Sequence, residues 1–162
     1  MHGRIFKEEQ TYKGTWVMYF ILMLEIPTLV LVTFLVLNDD SGRKEGIYGL
    51  ISFFLIMIIV STFLFKLKLK TRIDETGIHY AYFPLIKWRT ISKKQIKSAE
   101  LIMFNPLADH GGWGIKGNKT TKAYTVIGDA GLSIDLGEKK KIVIGTQKPK
   151  ELGEFLENWM KG

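Results

Sequence analysis

Two long apolar runs constrain this chain more than anything else in it. WVMYFILMLEIPTLVLVTFLVL extends from Trp16 to Leu37, and IYGLISFFLIMIIVSTFLF from Ile47 to Phe65. At a rise of about 1.5 Å per residue these give helices of roughly 33 and 28 Å, enough for the hydrocarbon core of a bilayer. A lipid-embedded segment must satisfy its own backbone, which a helix does. The runs are therefore expected as two transmembrane helices, at about 15–37 and 47–66. The connecting NDDSGRKEG is short, polar and turn-forming, so the pair should be an antiparallel hairpin. The first run is too long for the apolar core of a signal peptide and lacks a small-residue cleavage site after it; it is expected to stay in the mature protein.

Flanking cations give the orientation. Arg4, Lys7 and Lys13 precede the first run, and Lys66, Lys68, Lys70 and Arg72 follow the second. The loop between carries only Arg43 and Lys44, offset by Asp39, Asp40 and Glu45. Lys and Arg concentrate on the cytoplasmic side of membrane proteins. The expectation is a multi-pass protein of the cell (inner) membrane with both termini cytoplasmic. Charge is uneven along the chain: from Lys66 onward 18 basic residues face 10 acidic ones, whereas the first 65 residues carry a net −1. A basic globular part beside membrane spans points to anionic lipid headgroups more than to nucleic acid, for which no binding signature is present. Cysteine is absent, which removes disulfides, thiolate metal sites and cysteine nucleophiles.

One residue conflicts with the apolar setting. Glu25 lies near the middle of the first run, two positions before Pro27. A carboxylate at that depth costs about 3 kcal/mol on insertion scales, so it must be neutral, paired or turned to a protein interface. Folding the hairpin about its loop brings Glu25 level with position 59, within one turn of Ser61 and Thr62. A neutral Glu hydrogen-bonded across the hairpin is the plainer reading. The sharper ones are a proton or ion relay in a small oligomeric transporter, or an oligomer interface through the hairpin.

Beyond Lys66 the apolar period changes to two. KLKLKTRI sets Lys66, Lys68, Lys70 and Arg72 on one face of a strand against Leu67, Leu69 and Ile73 on the other. DETG then turns the chain at Gly77 into IHYAYF. KWRTIS, IKSAELIMF, AYTVIG, GLSIDLG and KKIVIGTQ come next as further strands. Short strands at regular spacing argue for a sandwich or barrel. At the end, Leu152, Phe155, Leu156 and Trp159 stand at i, i+3, i+4 and i+7, the apolar stripe of a helix with Pro149 in its first turn. The fold class is thus α+β and mainly β. Residues 1–65 form a tail and membrane hairpin, and residues 66–162 a separate domain.

Glu75-Thr76-Gly77-Ile78-x-Tyr80, Trp88-x-x-Ile91-Ser92, Ile96, Gly111-Gly112-Trp113-Gly114 and Ile144-Gly145-Thr146-Gln147-Lys148-Pro149, in this order, resemble the bacterial PH-like (pleckstrin-homology-like) membrane proteins. In these, one or two spans precede a small cytoplasmic PH-like domain. The resemblance implies an antiparallel β barrel or sandwich capped by a C-terminal helix, attached to the lipid bilayer. It implies no activity. Some PH domains hold phosphoinositide headgroups with a Lys/Arg strand resembling Lys66–Arg72, but the adjoining turn here, Asp74-Glu75-Thr76-Gly77, is acidic. A positive flank resting against anionic lipid is the plainer account of these cations.

GGWGIKGNKT, Gly111 to Thr120, comes within one residue of a phosphate-binding loop. Gly112 and Gly117 have the spacing, but Asn118 displaces Lys119 and Thr120, and residues 121–127 have a strand pattern where such a loop needs a helix. It is expected to be a turn. Trp113 then fills a gap over the barrel, or it anchors a partner from an exposed rim with Gly111, Gly112, Gly114 and Lys116 beside it. His79 and the Asp109-His110 pair stand at no informative spacing from a nucleophile, so no catalytic residue, cofactor or metal ligand is assigned. The expected function is a membrane-held binding module, an adaptor, assembly or regulatory component without catalysis of its own.

Overall fold

The structure, a computed structural model, describes residues 4–38, 43–110, 112–137 and 140–161. It divides into two compact units: Tyr12–Lys66, and the chain up to Thr11 together with that from Leu67 onward.

The apolar runs form α1 (Trp16–Asn38) and α2 (Arg43–Lys66). Both are long and apolar enough to cross a membrane. Each is apolar all round, and none of the α1 residues is buried within the structure, the pattern of a helix solvated by lipid. Helix α2 starts earlier than the apolar run, and Glu45 in its first turn suits the positive end of the helix dipole. Pro27 sits within α1. Its neighbour Thr28 donates its hydroxyl to the Leu24 carbonyl at 2.7 Å, and Thr33 does the same to Leu29 at 2.8 Å.

The second unit holds two sheets. β1 (Phe6–Thr11), β2 (Lys68–Asp74), β3 (Gly77–Phe83) and β4 (Ile86–Ser92) form one in that order, all antiparallel. β5 (Ser98–Met103), β6 (Gly114–Gly117), β7 (Thr121–Thr125), β8 (Ala130–Asp135) and β9 (Lys141–Thr146) form the other, in the order β5-β8-β9-β7-β6. A short helix α3 (Pro106–His110) precedes β6, and α4 (Pro149–Lys161) ends the chain. The α+β class, the two apolar helices, the β region and the closing helix are all as expected.

Three features differ from expectation. Residues read as a tail form β1, which pairs with β2 from Phe6↔Ile73 to Thr11↔Lys68. β7 and β9 pair in parallel, so the second sheet is mixed. The barrel is not closed: the two sheets remain separate ladders. They share one core. Leu69, Ile73 and Tyr82 of the first sheet and Tyr124, Leu132 and Ile144 of the second are almost wholly buried, and the Tyr82 hydroxyl donates to the Thr125 carbonyl at 3.1 Å. β1 is tied across by polar groups. Gln10 Nε2 donates to the Gly145 carbonyl at 2.6 Å, while Glu8 accepts from Thr146 Oγ1 and the Gln147 N–H, both at 2.7 Å. Helix α4 lies against β5 and buries Leu152, Leu156 and Trp159. Its Phe155 ring meets Phe6 at 5.9 Å, and the Trp159 indole donates to the Asp74 carbonyl at 2.7 Å.

Candidate functional site

Among the described residues β4 and β6 are outer strands, each with no further strand beyond it. Both line one cleft of about 500 Å³. Ile86 and Arg89 come from β4, Ile115 and Lys116 from β6, and Lys122 and Tyr124 from β7. The three cations have no acidic neighbour among the residues that line the cleft. Beside it the Tyr80 and Tyr124 rings meet at a tilt, with centroids 5.0 Å apart. Burial pushes the Tyr80 hydroxyl up to about 12, with Tyr124 adding to the effect and the Arg89 guanidinium opposing it. Unpaired strand edges next to apolar and cationic side chains can accept an extended, acidic chain.

The glycine-rich stretch builds one wall of this cleft. Gly117 ends β6 with a φ of 152°, and a Cβ there would collide with the Thr121 carbonyl. Asn118 closes the turn: its N–H donates to Thr121 O at 2.8 Å, and its Oδ1 accepts from the Thr120 N–H and hydroxyl and the Thr121 N–H. The residue that spoils the phosphate-loop spacing is thus the one that makes the β6–β7 hairpin. The Trp113 indole is half-buried and donates to the Gly128 carbonyl at 3.1 Å. Gly112 donates its N–H to Pro106 O at 2.7 Å, and Gly114 opens β6 with a φ of 108°. Gly111 lies outside the described residues. Of Gly112, Trp113, Gly114 and Lys116, the described residues expected as a partner-binding rim, only Lys116 lines the cleft. Arg89 and Lys122 were missed because they stand far apart in sequence; only the meeting of two edge strands joins them.

The cationic ladder of β2 is partly neutralised. Lys68 and Lys70 both reach Glu9, at 2.7 and 3.2 Å, and Arg72 reaches Asp74 at 3.0 Å. Hydrogen bonds from Lys68 and then Lys70 hold the Glu9 carboxyl below its ordinary range. Lys66 stands apart from the ladder as the last residue of α2. At the other end of β2 a second polar cluster assembles that sequence spacing did not disclose. Asp74 Oδ1 accepts from the Thr76 N–H at 3.0 Å and lies 3.2 Å from His79 Nε2, while His79 Nδ1 is 2.9 Å from Thr90 Oγ1. Carboxylate, imidazole and hydroxyl stand in a row, as in a nucleophile relay. Here His79 and Thr90 are direct cross-strand partners and Asp74–Thr76 is the β2–β3 turn, so hairpin closure accounts for the cluster. Among the described residues no group of three or more His, Asp or Glu side chains could hold a metal.

Within the helix pair, Ser61 Oγ lies 2.9 Å from Glu25 Oε1 and 3.0 Å from Oε2, its hydroxyl donating to the carboxyl group. This is the partner that folding the hairpin about its loop places within reach. Of the two hydroxyls expected near Glu25, it is Ser61 and not Thr62 that meets the carboxyl. No protein-family model, no curated protein and no solved structure matches this chain.

Proposed function

We propose that the chain is an integral membrane protein whose PH-like β unit faces the cytoplasm as a binding module. It serves as an adaptor, assembly or regulatory component and carries out no catalysis of its own. The observation that carries this reading is the open seam between β4 and β6, with its unpaired edges and its Arg89, Lys116 and Lys122. An extended protein segment bearing acidic side chains would add a strand there and pair its carboxylates with the cations.

Topology supports the membrane half. β1 precedes α1 and β2 follows α2, yet the two strands are hydrogen-bonded neighbours. A bilayer cannot pass between paired strands, so two crossings return the chain to the side from which it left. The flanking cations make that side cytoplasmic. The Ser61 partner of Glu25 favours a structural role for that carboxyl over a transport role.

A photo-crosslinker at position 116 in the full chain, in native membranes, tests the module. Protein adducts should form there, be absent for a crosslinker at exposed Lys150 of α4, and be lost with Arg89→Glu and Lys122→Glu. Adducts indifferent to charge reversal would remove the cleft from the proposal, and proton flux in liposomes that vanishes with Glu25→Gln would replace it by transport.

A further inference from the structure

The turn between β3 and β4 is Pro84-Leu85, flanked by Phe83. Turns at a water surface are polar as a rule, but Phe83 and Leu85 are each 54% exposed, and Trp88 of β4 is 56% exposed. The turn at the other end of β3, Asp74-Glu75-Thr76, is polar. The first sheet therefore has one apolar end and one polar end.

Strand register identifies the apolar end. Thr11, the last residue of β1, pairs with Lys68, the first of β2, and Lys68 pairs in turn with Phe83. Leu67 alone separates Lys68 from the end of α2 at Lys66, and four residues separate Thr11 from the start of α1 at Trp16. The chain leaves for the apolar helices and returns from them at the end of the sheet that carries Phe83 and Leu85. Two residues reach at most about 7 Å, so connectivity alone keeps this end close to where α2 emerges from a bilayer.

We propose that the Phe83-Pro84-Leu85 turn is a third membrane contact, its apolar side chains entering the interfacial layer of the bilayer that the two helices cross. The proposal rests on the reading that they do cross it. The residues around the turn suit that layer. Trp88 has an amphipathic ring of the kind enriched at headgroup depth, and exposed Lys87 can keep its ammonium among headgroups while its stem lies along the apolar surface. A protein partner or second copy would cover the apolar patch equally well, but only lipid is brought to this end by the course of the chain itself.

Absence of cysteine makes the test direct. Leu85→Cys, Glu75→Cys and Val30→Cys each give the full chain one attachment point for an environment-sensitive fluorophore, and all three positions are exposed. The labelled proteins are placed in nanodiscs of phosphatidylcholine, with and without lipids carrying a nitroxide at a shallow or a deep acyl position. The expected result is several-fold stronger quenching at 85 than at 75 by the shallow nitroxide, with position 30 quenched by the deep one. Quenching at 85 no greater than at 75, with position 30 quenched, overturns the third contact and leaves the spanning helices intact. A blue-shifted but unquenched fluorophore at 85 means that protein covers the turn, which also overturns it. No quenching at 30 removes the spanning reading and the third contact together.

Discussion

Asp74 gathers three kinds of contact: the β2–β3 turn through Thr76, the cross-strand His79, and the Arg72 guanidinium. Desolvation works to raise its carboxyl, but hydrogen bonds from Thr76 and His79 outweigh it and hold the group well below the usual carboxylate range. A carboxylate depressed in the folded state contributes stability that is fully present above its unfolded pKa of about 3.9 and is lost as pH falls through the depressed value. Acidification below about pH 4 should therefore lower the melting temperature of the β unit in wild type. Asp74→Asn, less stable at neutral pH, should lose less over the same range. Tryptophan emission followed against temperature at a series of pH values reads both. Glu9 shifts in the same direction, but its partners are exposed lysines and screening leaves it a minor contributor. The neighbouring Gly77 is fixed by space as well as by its positive φ of 153°. A methyl group there would run into the Ile91 carbonyl and come within 3.0 Å of the Lys93 nitrogen. Gly77→Ala should cost about 2 kcal/mol or more, measured by denaturant unfolding of the full chain in a non-ionic detergent.

At the level of elements, what could be read in advance depended on which residues carry the period. The two helices were legible because their apolar runs are continuous, and α4 because Leu152, Leu156 and Trp159 recur at helical spacing. β1 was not. In FKEEQT the inward positions after Phe6 are Glu8 and Gln10, so a polar residue stands wherever the strand faces the core, and the alternation is invisible to a hydropathy reading. β6 is four residues long with a glycine at each end, too short to show any period. The cleft went unseen with it, since one wall of the cleft is that strand. The Glu25–Ser61 pair was legible, because equal helix lengths on either side of a short loop set the level of each residue in the other helix. It carries its own expected order. Glu25→Gln keeps an oxygen that accepts from Ser61, so helix pairing should change little. Ser61→Ala strands Glu25 in the apolar layer and should weaken pairing by about 1 kcal/mol. Titration with denaturing detergent in bicelles, following energy transfer between labels on α1 and α2, would rank the three proteins; a Gln variant as weak as the Ala variant would mean that charge, not the hydrogen bond, holds the pair.

For the whole molecule the main consequence of β1 is that the two apolar helices are an insertion within a β-hairpin. Thr11 and Lys68 face each other across the ladder, the geometry that a two-residue turn connects in ordinary hairpins. Replacing Tyr12–Leu67 by Asn-Gly should then give a folded β unit that stays in the supernatant without detergent. A chain beginning at Lys68 should fail to fold: without β1 it leaves Gly145, Thr146 and Gln147 without the Gln10 and Glu8 partners they have in the intact unit, and it exposes the edge of β2. Each buried polar group left unpaired costs about 1–3 kcal/mol, and the total weight of these losses rivals the net stability of a small domain. Size-exclusion elution and near-ultraviolet circular dichroism distinguish the two chains. The same fused unit separates the contributions to membrane attachment. It keeps the Phe83-Pro84-Leu85 turn and loses both helices, and a small apolar patch holds a protein to lipid only marginally, as a single acyl chain does. Weak, reversible sedimentation with phosphatidylcholine vesicles that Phe83→Ser and Leu85→Ser abolish is the expected behaviour. Strong binding would mean that the β unit seeks the bilayer by itself, and the helices would then serve the placing of the cleft more than the anchoring of the chain.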